Sequence, residues 1–453
     1  MSDYLLVTDN IAPLSDTPEA IGALGLSSAL ASAGHSMVVL SQASPAALAQ
    51  QTGLARRLRP VSVTLGKKGG SHDVPLYEGR LRASAANVFV LAVEPRGRGW
   101  TSALLGAAAQ SLVQDGTIRA SVLIGWGEGS ATALADLTNA RRIFVIANGQ
   151  AGPALAADEV ELLSEHEALD VKDSLLGRAA IDADAVVVPS PSAGAAIAAH
   201  PALAGRASDQ PLVVLPFGCD DPPHDPSTDP ALPHHYGVSA PAGKAECRKS
   251  LARRLTLSVG PRTLLVLAPR LNSGPAADTL LNALSQLGGL DVAVILPAGT
   301  DRALTERARV LAIQNPGRMA LIDDLSESVG RELRAAADAE IFVEARDNTG
   351  RSAGLALRYG TLPIAPDAGA FSDFLIDYDA GSATGTALLY APQDAFELVG
   401  ALRRAIALRS DRERWDALVV SLMTAAPTWK TTAIRLESLC AEPVETTAAP
   451  LMA

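Results

Sequence analysis

Cysteine is scarce in this 453-residue chain: Cys219, Cys247 and Cys440 stand far apart, and no C-x-x-C pair occurs. An odd number without close spacing argues against a disulfide framework or a zinc knuckle and fits a reducing compartment. Aromatic residues make up only 4%, which leaves few flat faces on which bases could stack. Positive charge is short as well. The 38 Lys and Arg against 49 Asp and Glu give a formal net charge of −11 and a pI near 5.2. A chain of that sign repels phosphate backbones, so nucleic acid is not an expected partner; solubility accounts for the excess of acid. No run of about 20 apolar residues is present to cross a membrane. The opening MSDYLLVTDN has no basic segment and no long apolar core, so no signal peptide and a cytoplasmic protein are expected.

What is present is apolar material, 48% of residues, with alanine very frequent. The length suits two domains of ordinary size, and the alanines predict helices packed through small side chains. Short apolar runs alternate with longer helical stretches: YLLVT (4–8), SMVVL (36–40), VFVLAV (88–93), ASVLIG (120–125), RIFVIA (142–147), AVVVPS (185–190) and PLVVLPF (211–217). They are continuous rather than alternating, as in strands of a parallel sheet covered on both faces. From Cys219 the texture changes. DDPPHDPSTDPALPHHYGVSAP is crowded with proline, aspartate and histidine, suits neither a regular helix nor a central strand, and reads as a connection between domains. A second alternation follows, with RTLLVLA (262–268), LDVAVILP (290–297), RMALID (318–323), AEIFVEA (339–345) and LPIAP (362–366). The expected class is α/β, with two doubly wound sheets facing a shared cleft and ligands at the carboxyl ends of strands. The tail AEPVETTAAPLMA (441–453) has the composition of a disordered end.

Gly350, Ser352 and Gly354 spell G-x-S-x-G, the nucleophile elbow of serine hydrolases. That elbow needs a histidine later in the chain, and all seven histidines lie at or before His235. GWGEGS (125–130) follows a strand, but its third glycine falls at the wrong spacing for a dinucleotide loop, so it reads as a plain turn. GKKGGS (66–71) fails the P-loop pattern and reads as an exposed loop. His224, His234 and His235 match no common metal spacing and read as part of a solvated loop.

The segment DPSTDPALPHHY (225–236) with GKAECRKSLARRL (243–255) resembles the bacterial glycogen and starch synthases of glycosyltransferase family 5. So, in the same order, do LLVTDNIAPLSDT with AGHSMVVL, VPLYEGRL (74–81), ADAVVVPSPS (183–192), ALRYGT (356–361) and PTWKTTAIRLESL (427–439). The likeness covers nearly the whole chain to about Cys440. It implies a GT-B fold: a Rossmann-like acceptor-side lobe over 1–218, a connection over 219–242, a nucleotide-sugar-side lobe over 243–427, and a helix over 428–440 crossing back to the first lobe. It also implies retaining transfer of glucose from ADP-glucose or UDP-glucose to an α-1,4-glucan. No metal or other cofactor is implied, so positive side chains and helix N-termini would stabilise the leaving diphosphate.

Position by position, the family's chemical groups are largely replaced. Its K-T-G-G loop at the sugar nucleotide reads Asp16, Thr17, Pro18, Glu19, which reverses the charge and removes an amide. Its I-H-N segment reads Ile146, Ala147, Asn148, and its H-A-H-D-W-H region reads GWGEGS. Of the arginine and lysine aimed at the phosphates, Arg270 is kept and the lysine position is Pro275. Its E-P-C-G reads Asp347, Asn348, Thr349, Gly350, a shorter carboxylate with the glycine retained and Arg351 following. Expected donor-site residues are therefore Arg270, Thr349, Gly350 and Arg351, with Asp347, in place of the family's glutamate, as the catalytic candidate. Asp16, Ala147 and Pro275 are degenerate positions. Three readings follow. The first is a pseudo-glycosyltransferase that binds a nucleotide sugar or glucan, or that scaffolds a protein partner or its own oligomer. The second is an active transferase of altered specificity, with Arg270, Arg351 and Asp347 at the donor and Glu19, Trp126 or Glu128 in new roles. The third is a structural subunit of a larger assembly.

Overall fold

A computed structural model describes residues 2–65, 70–81, 84–150, 152–164, 174–203, 212–261, 263–270, 274–299, 301–323, 326–344 and 347–441. Most of the GKKGGS loop (66–69) and the tail from 442 onward lie outside the described residues. Contacts divide the chain into two units. The first comprises the described residues of Met1–Asp221 and Thr428–Ala453, the second Pro222–Pro427.

The first unit contains β1 (Asp3–Thr8), β2 (Ser36–Ala43), β3 (Leu54–Arg56), β4 (Val61–Thr64), β5 (Ser71–Val74), β6 (Leu76–Gly79), β7 (Asn87–Ala92), β8 (Val122–Trp126), β9 (Arg141–Val145), β10 (Ala185–Val188) and β11 (Leu212–Val214). Nine of these form one sheet in the order β11, β10, β9, β8, β1, β2, β7, β6, β3. It is parallel from β11 to β7. At the far edge β6 and β3 run antiparallel, and β4 and β5 form a separate hairpin. Each apolar run named above overlaps one of the parallel strands.

The reason is visible in the core. Successive side chains of a strand point to opposite faces, and here both faces are covered. Leu5 and Val7 enter one apolar layer while Tyr4 and Leu6 enter the other. The same split places Leu123 and Phe144 on the first side and Ile124 and Val145 on the second. The edge strands and the hairpin escaped the sequence reading because they are half covered. In β4 buried and exposed residues alternate, so no apolar run marks it.

The helix Trp429–Ala441 packs on the helix Pro18–Ser32 within this unit. Trp429 anchors it: the ring is buried, stacks on Phe217 with centroids 5.8 Å apart, and donates its indole N–H to Asp221 Oδ1 at 2.9 Å.

The second unit holds β12 (Leu264–Leu267), β13 (Val292–Pro297), β14 (Met319–Ile322), β15 (Ala339–Ile341), β16 (Leu362–Pro366) and β17 (Leu388–Tyr390). They form an all-parallel sheet ordered β14, β13, β12, β15, β16, β17. The proline-rich segment opening this unit is tied to its core. Asp229 is fully buried; its Oδ2 accepts from Arg331 Nε at 3.0 Å and Tyr359 OH at 2.7 Å, and its Oδ1 accepts from the Ala231 amide at 2.9 Å. The buried Lys244 ammonium donates to the carbonyls of Ala335 (3.1 Å) and Tyr359 (3.0 Å) and to Thr361 Oγ1 (2.9 Å). Among the described residues no helix is long and apolar enough to cross a membrane, and no group of three or more His, Cys, Asp or Glu is arranged to hold a metal ion.

Candidate functional site

In the second unit the residues from Asp347 to Arg351 converge at the start of the helix Arg351–Arg358. Gly350 sits in the left-handed region at φ 67°, and a Cβ there would lie 2.2 Å from the Phe374 ring, so backbone and packing both require glycine. Asp347 turns its carboxylate onto this helix. Oδ1 accepts from the Thr349 amide (3.0 Å) and hydroxyl (2.6 Å), and Oδ2 from the Ser352 amide (2.6 Å) and hydroxyl (2.6 Å). Thr349 Oγ1 in turn accepts from the Arg351 amide at 3.2 Å. The Arg351 and Ser352 amides, which a bare helix N-terminus would offer to an anion, are thus engaged by side chains. Ser352 of the G-x-S-x-G pattern is part of this cap.

Arg270 is exposed beyond the carboxyl end of β12, and Pro275 opens the helix Pro275–Ser285. The Glu344 carboxylate approaches this loop: Oε1 is 3.7 Å from where a Cβ on Gly274 would be.

The first unit holds a cavity of about 300 Å³ whose lining includes Asp9, Glu19, Arg98, Trp126, Glu128 and Ala147. Three of these groups follow the carboxyl ends of parallel strands, the expected place in a doubly wound sheet, while Glu19 and Arg98 come from helix starts. Asp9 follows β1, Glu128 follows β8, and Ala147 follows β9. The segment replacing K-T-G-G is a helix start. Thr17 caps it, its Oγ1 accepting from the Ala20 amide at 3.2 Å, with Pro18 as the first helical residue and Asp16 exposed before it. Trp126 donates its indole N–H to the Glu19 carbonyl at 2.9 Å.

Arg98 is the guanidinium in this lining. Its Nη1 meets Glu128 Oε2 at 2.5 Å and its Nη2 reaches the Pro153 carbonyl. Glu128 Oε1 accepts from the Gly152 amide at 2.6 Å. Asp9 is left over: its Oδ1 is shut off from solvent against Gly129 and, among the described residues, accepts no hydrogen bond. Burial, then repulsion from Glu128, pushes the Asp9 carboxyl up to about 6 against the pull of Arg98. Asp9 and Arg98 belong to no sequence motif. The usable signal for Asp9 was position alone, the residue after the first strand of a parallel sheet. For Arg98 there was none, since its partner Glu128 is 30 residues away.

Both units belong to the class of GT-B glycosyltransferase folds. The structure superimposes on the catalytic domain of starch synthase IV from Arabidopsis thaliana, bound to ADP and acarbose, with a TM-score of 0.80 at 18% identity, covering 97% of this chain and 98% of that one. For sucrose-phosphate synthase from Thermosynechococcus elongatus the values are 0.58 and 16%, over 97% and 98%. In sequence, the chain is 30% identical over 322 residues to the glycogen synthase of Anaeromyxobacter sp. strain Fw109-5, covering 67% of each. It is 32% identical over 223 residues to that of Anaeromyxobacter dehalogenans strain 2CP-1, covering 49% of this chain and 46% of the relative. The chain thus spans about half the length of the latter relative. No family model matches the chain. This chain belongs to the glycogen synthase family.

Proposed function

We propose that this member of the family has lost, or nearly lost, glucosyl transfer, and that it works in the cytoplasm as a nucleotide-sugar- or glucan-binding or scaffolding component. The observation that supports this most is the state of Asp347. The carboxylate that stands where the family's acid faces the reacting sugar is occupied by four hydrogen bonds from Thr349 and Ser352. Releasing it toward a substrate would forfeit bonds of ~0.5–1.5 kcal/mol each. The methyl of Ala147 in place of an imidazole, and Pro275 in place of an ammonium, remove two further groups. Losing one preorganised electrostatic donor costs about 3 kcal/mol, a factor of ~100 or more in rate.

The test is transfer of glucose from ADP-glucose and UDP-glucose to glycogen by the purified chain. No turnover above background is expected; a rate of about 1 s⁻¹ or more, ordinary for enzymes, overturns the proposal. A companion measurement separates the roles of Asp347. Asp347→Ala is expected to lower stability by about 1–2 kcal/mol in urea unfolding, as loss of a helix cap does, while leaving any nucleotide-sugar binding unchanged. An active transferase with an altered acceptor is the second reading. It draws on the exposed Arg270 at the carboxyl end of β12 and on Arg351 at a helix start, and it fails if Arg270→Ala leaves every detected activity intact.

A further inference from the structure

Arg270 and Asp347 follow the carboxyl ends of β12 and β15. The opposite end of the same sheet holds a cavity of about 190 Å³. It lies between the last turns of the helices Pro275–Ser285 and Arg302–Gln314 and the amino ends of β13 and β14. Its wall is apolar: Leu284, Leu287, Val292, Val294 and Met319 are buried, and Leu311 partly so. An apolar cavity of ~150 Å³ is large enough to hold benzene, so this one has room for an apolar body of about one six-membered ring.

Among the described residues the charged group lining it is Arg318, the residue before β14. Its Nη2 donates to the carbonyls of Leu287, at 3.4 Å, and of Leu290. Among the described residues Nε and Nη1 meet no acceptor and no carboxylate pairs with the guanidinium, yet neither nitrogen is shut off from solvent. Helix C-termini by themselves favour a cation. Here the carbonyls at those ends are taken. Leu284 is bonded by the Leu287 amide, Leu311 by the Asn315 amide and side chain, and Leu287 and Leu290 by Arg318. What remains for a ligand is a guanidinium with N–H groups to give, beside an apolar wall. A planar guanidinium matches a carboxylate. An inorganic anion would leave the apolar wall uncovered.

From this juxtaposition we infer that the second-unit cavity binds a small monocarboxylate with a compact apolar body, of about the size of benzoate. The carboxylate sits on Arg318 and the apolar body lies against Leu284, Leu311 and Met319. The inference goes beyond the reading above. The cavity stands at the other end of the sheet from the expected donor residues, and loss of glucosyl transfer neither requires it nor depends on it.

Isothermal titration calorimetry on the full chain, at pH 7.5 and low salt, compares benzoate, its neutral isostere benzamide, and inorganic phosphate. Benzoate is expected to bind saturably and at least about tenfold tighter than benzamide, because hydrogen bonds between two ionised groups are the strong ones. Phosphate is expected to bind at least about tenfold more weakly than benzoate, since it gains nothing from the apolar wall. Arg318→Gln keeps an N–H for the carbonyls and drops the charge; it is expected to bring benzoate down to benzamide. Gln314 lines the cavity and is exposed at a helix end. Gln314→Glu is therefore expected to leave the fold intact and to weaken benzoate but not benzamide, and it decides the matter should Arg318→Gln fail to fold in thermal unfolding. Arg270→Ala is expected to leave benzoate affinity unchanged. Equal affinities for benzoate and benzamide, phosphate binding as tightly as benzoate, no binding of benzoate, full benzoate affinity in folded Arg318→Gln or in Gln314→Glu, or its loss in Arg270→Ala would each overturn the inference.

Discussion

Asp229→Ala is expected to cost the second unit about 3–5 kcal/mol, enough to abolish most of an ordinary domain's stability. The carboxylate is completely buried and serves Arg331, Tyr359 and the Ala231 amide at once. Removing it leaves a guanidinium and a phenol without their acceptor in a place water does not reach. Glu327 also bonds Arg331, at 2.8 Å, but that carboxylate is largely exposed and its contribution is screened. The exposed pair Arg404–Asp377 is the control. Its geometry is as good, at 2.9 Å, yet both side chains are more than 40% exposed, so Asp377→Ala is expected to cost less than ~1 kcal/mol. Urea unfolding of the two variants, followed by circular dichroism with allowance for separate transitions of the two units, measures both costs. A cost below about 1 kcal/mol for Asp229→Ala would show that the buried cluster does not hold this unit together.

That cluster bears on why the family was recognisable at all. DPSTDPALPHHY and GKAECRKSLARRL contain Asp229, Tyr236 and Lys244, and ALRYGT contains Tyr359 and Thr361, which these residues bind. The segments that resemble glycogen synthases most are held by packing and buried hydrogen bonds. The positions read from the sequence as departing from the family, Asp16, Ala147 and Pro275, lie at helix starts or on a cavity wall. The sheets were legible for a related reason: strands covered on both faces must be apolar throughout, so their runs stand out. Edge strands β3 to β6 face water on one side and left no such mark.

The site was legible only as an alignment of residue types. Asp347 reads from sequence as a surviving carboxylate; its bonds to Thr349 and Ser352 exist only once the turn has formed. The replacement of K-T-G-G reads as a charge reversal, but Thr17 and Pro18 also build a well-capped helix start. Asp9 and Arg98 carry no motif; Asp9 and Glu128 follow the neighbouring parallel strands β1 and β8, and Arg98 reaches Glu128 from the start of the helix Arg98–Gln114.

The other large effect is expected where the terminal helix meets the first unit. Gly25 lies in the middle of the helix Pro18–Ser32, where glycine is about 0.5–1 kcal/mol worse than alanine on propensity alone. Gly25→Ala would therefore stabilise an isolated helix. Here a Cβ at Gly25 would lie 2.2 Å from Trp429 Nε1 and 2.4 Å from Cε2. These are ring atoms of a buried, stacked side chain, not the end of a flexible one. To admit the methyl, Trp429 must give up its bond to Asp221 and its stacking on Phe217. Overpacking costs ~1–3 kcal/mol, and breaking a buried hydrogen bond to a charged group adds about 1.5–3 kcal/mol; both exceed the propensity gain. The net expectation is a loss of roughly 2–5 kcal/mol from the first unit. Trp429→Ala alone is expected to cost ~3–5 kcal/mol as a large-to-small core change. The pair then behaves non-additively, because the space vacated by the indole accepts the methyl. Gly25→Ala in the Trp429→Ala background is expected to be neutral or slightly stabilising, a coupling of at least about 2 kcal/mol in a double-mutant cycle. Additive costs would mean that the glycine is not there to seat the tryptophan.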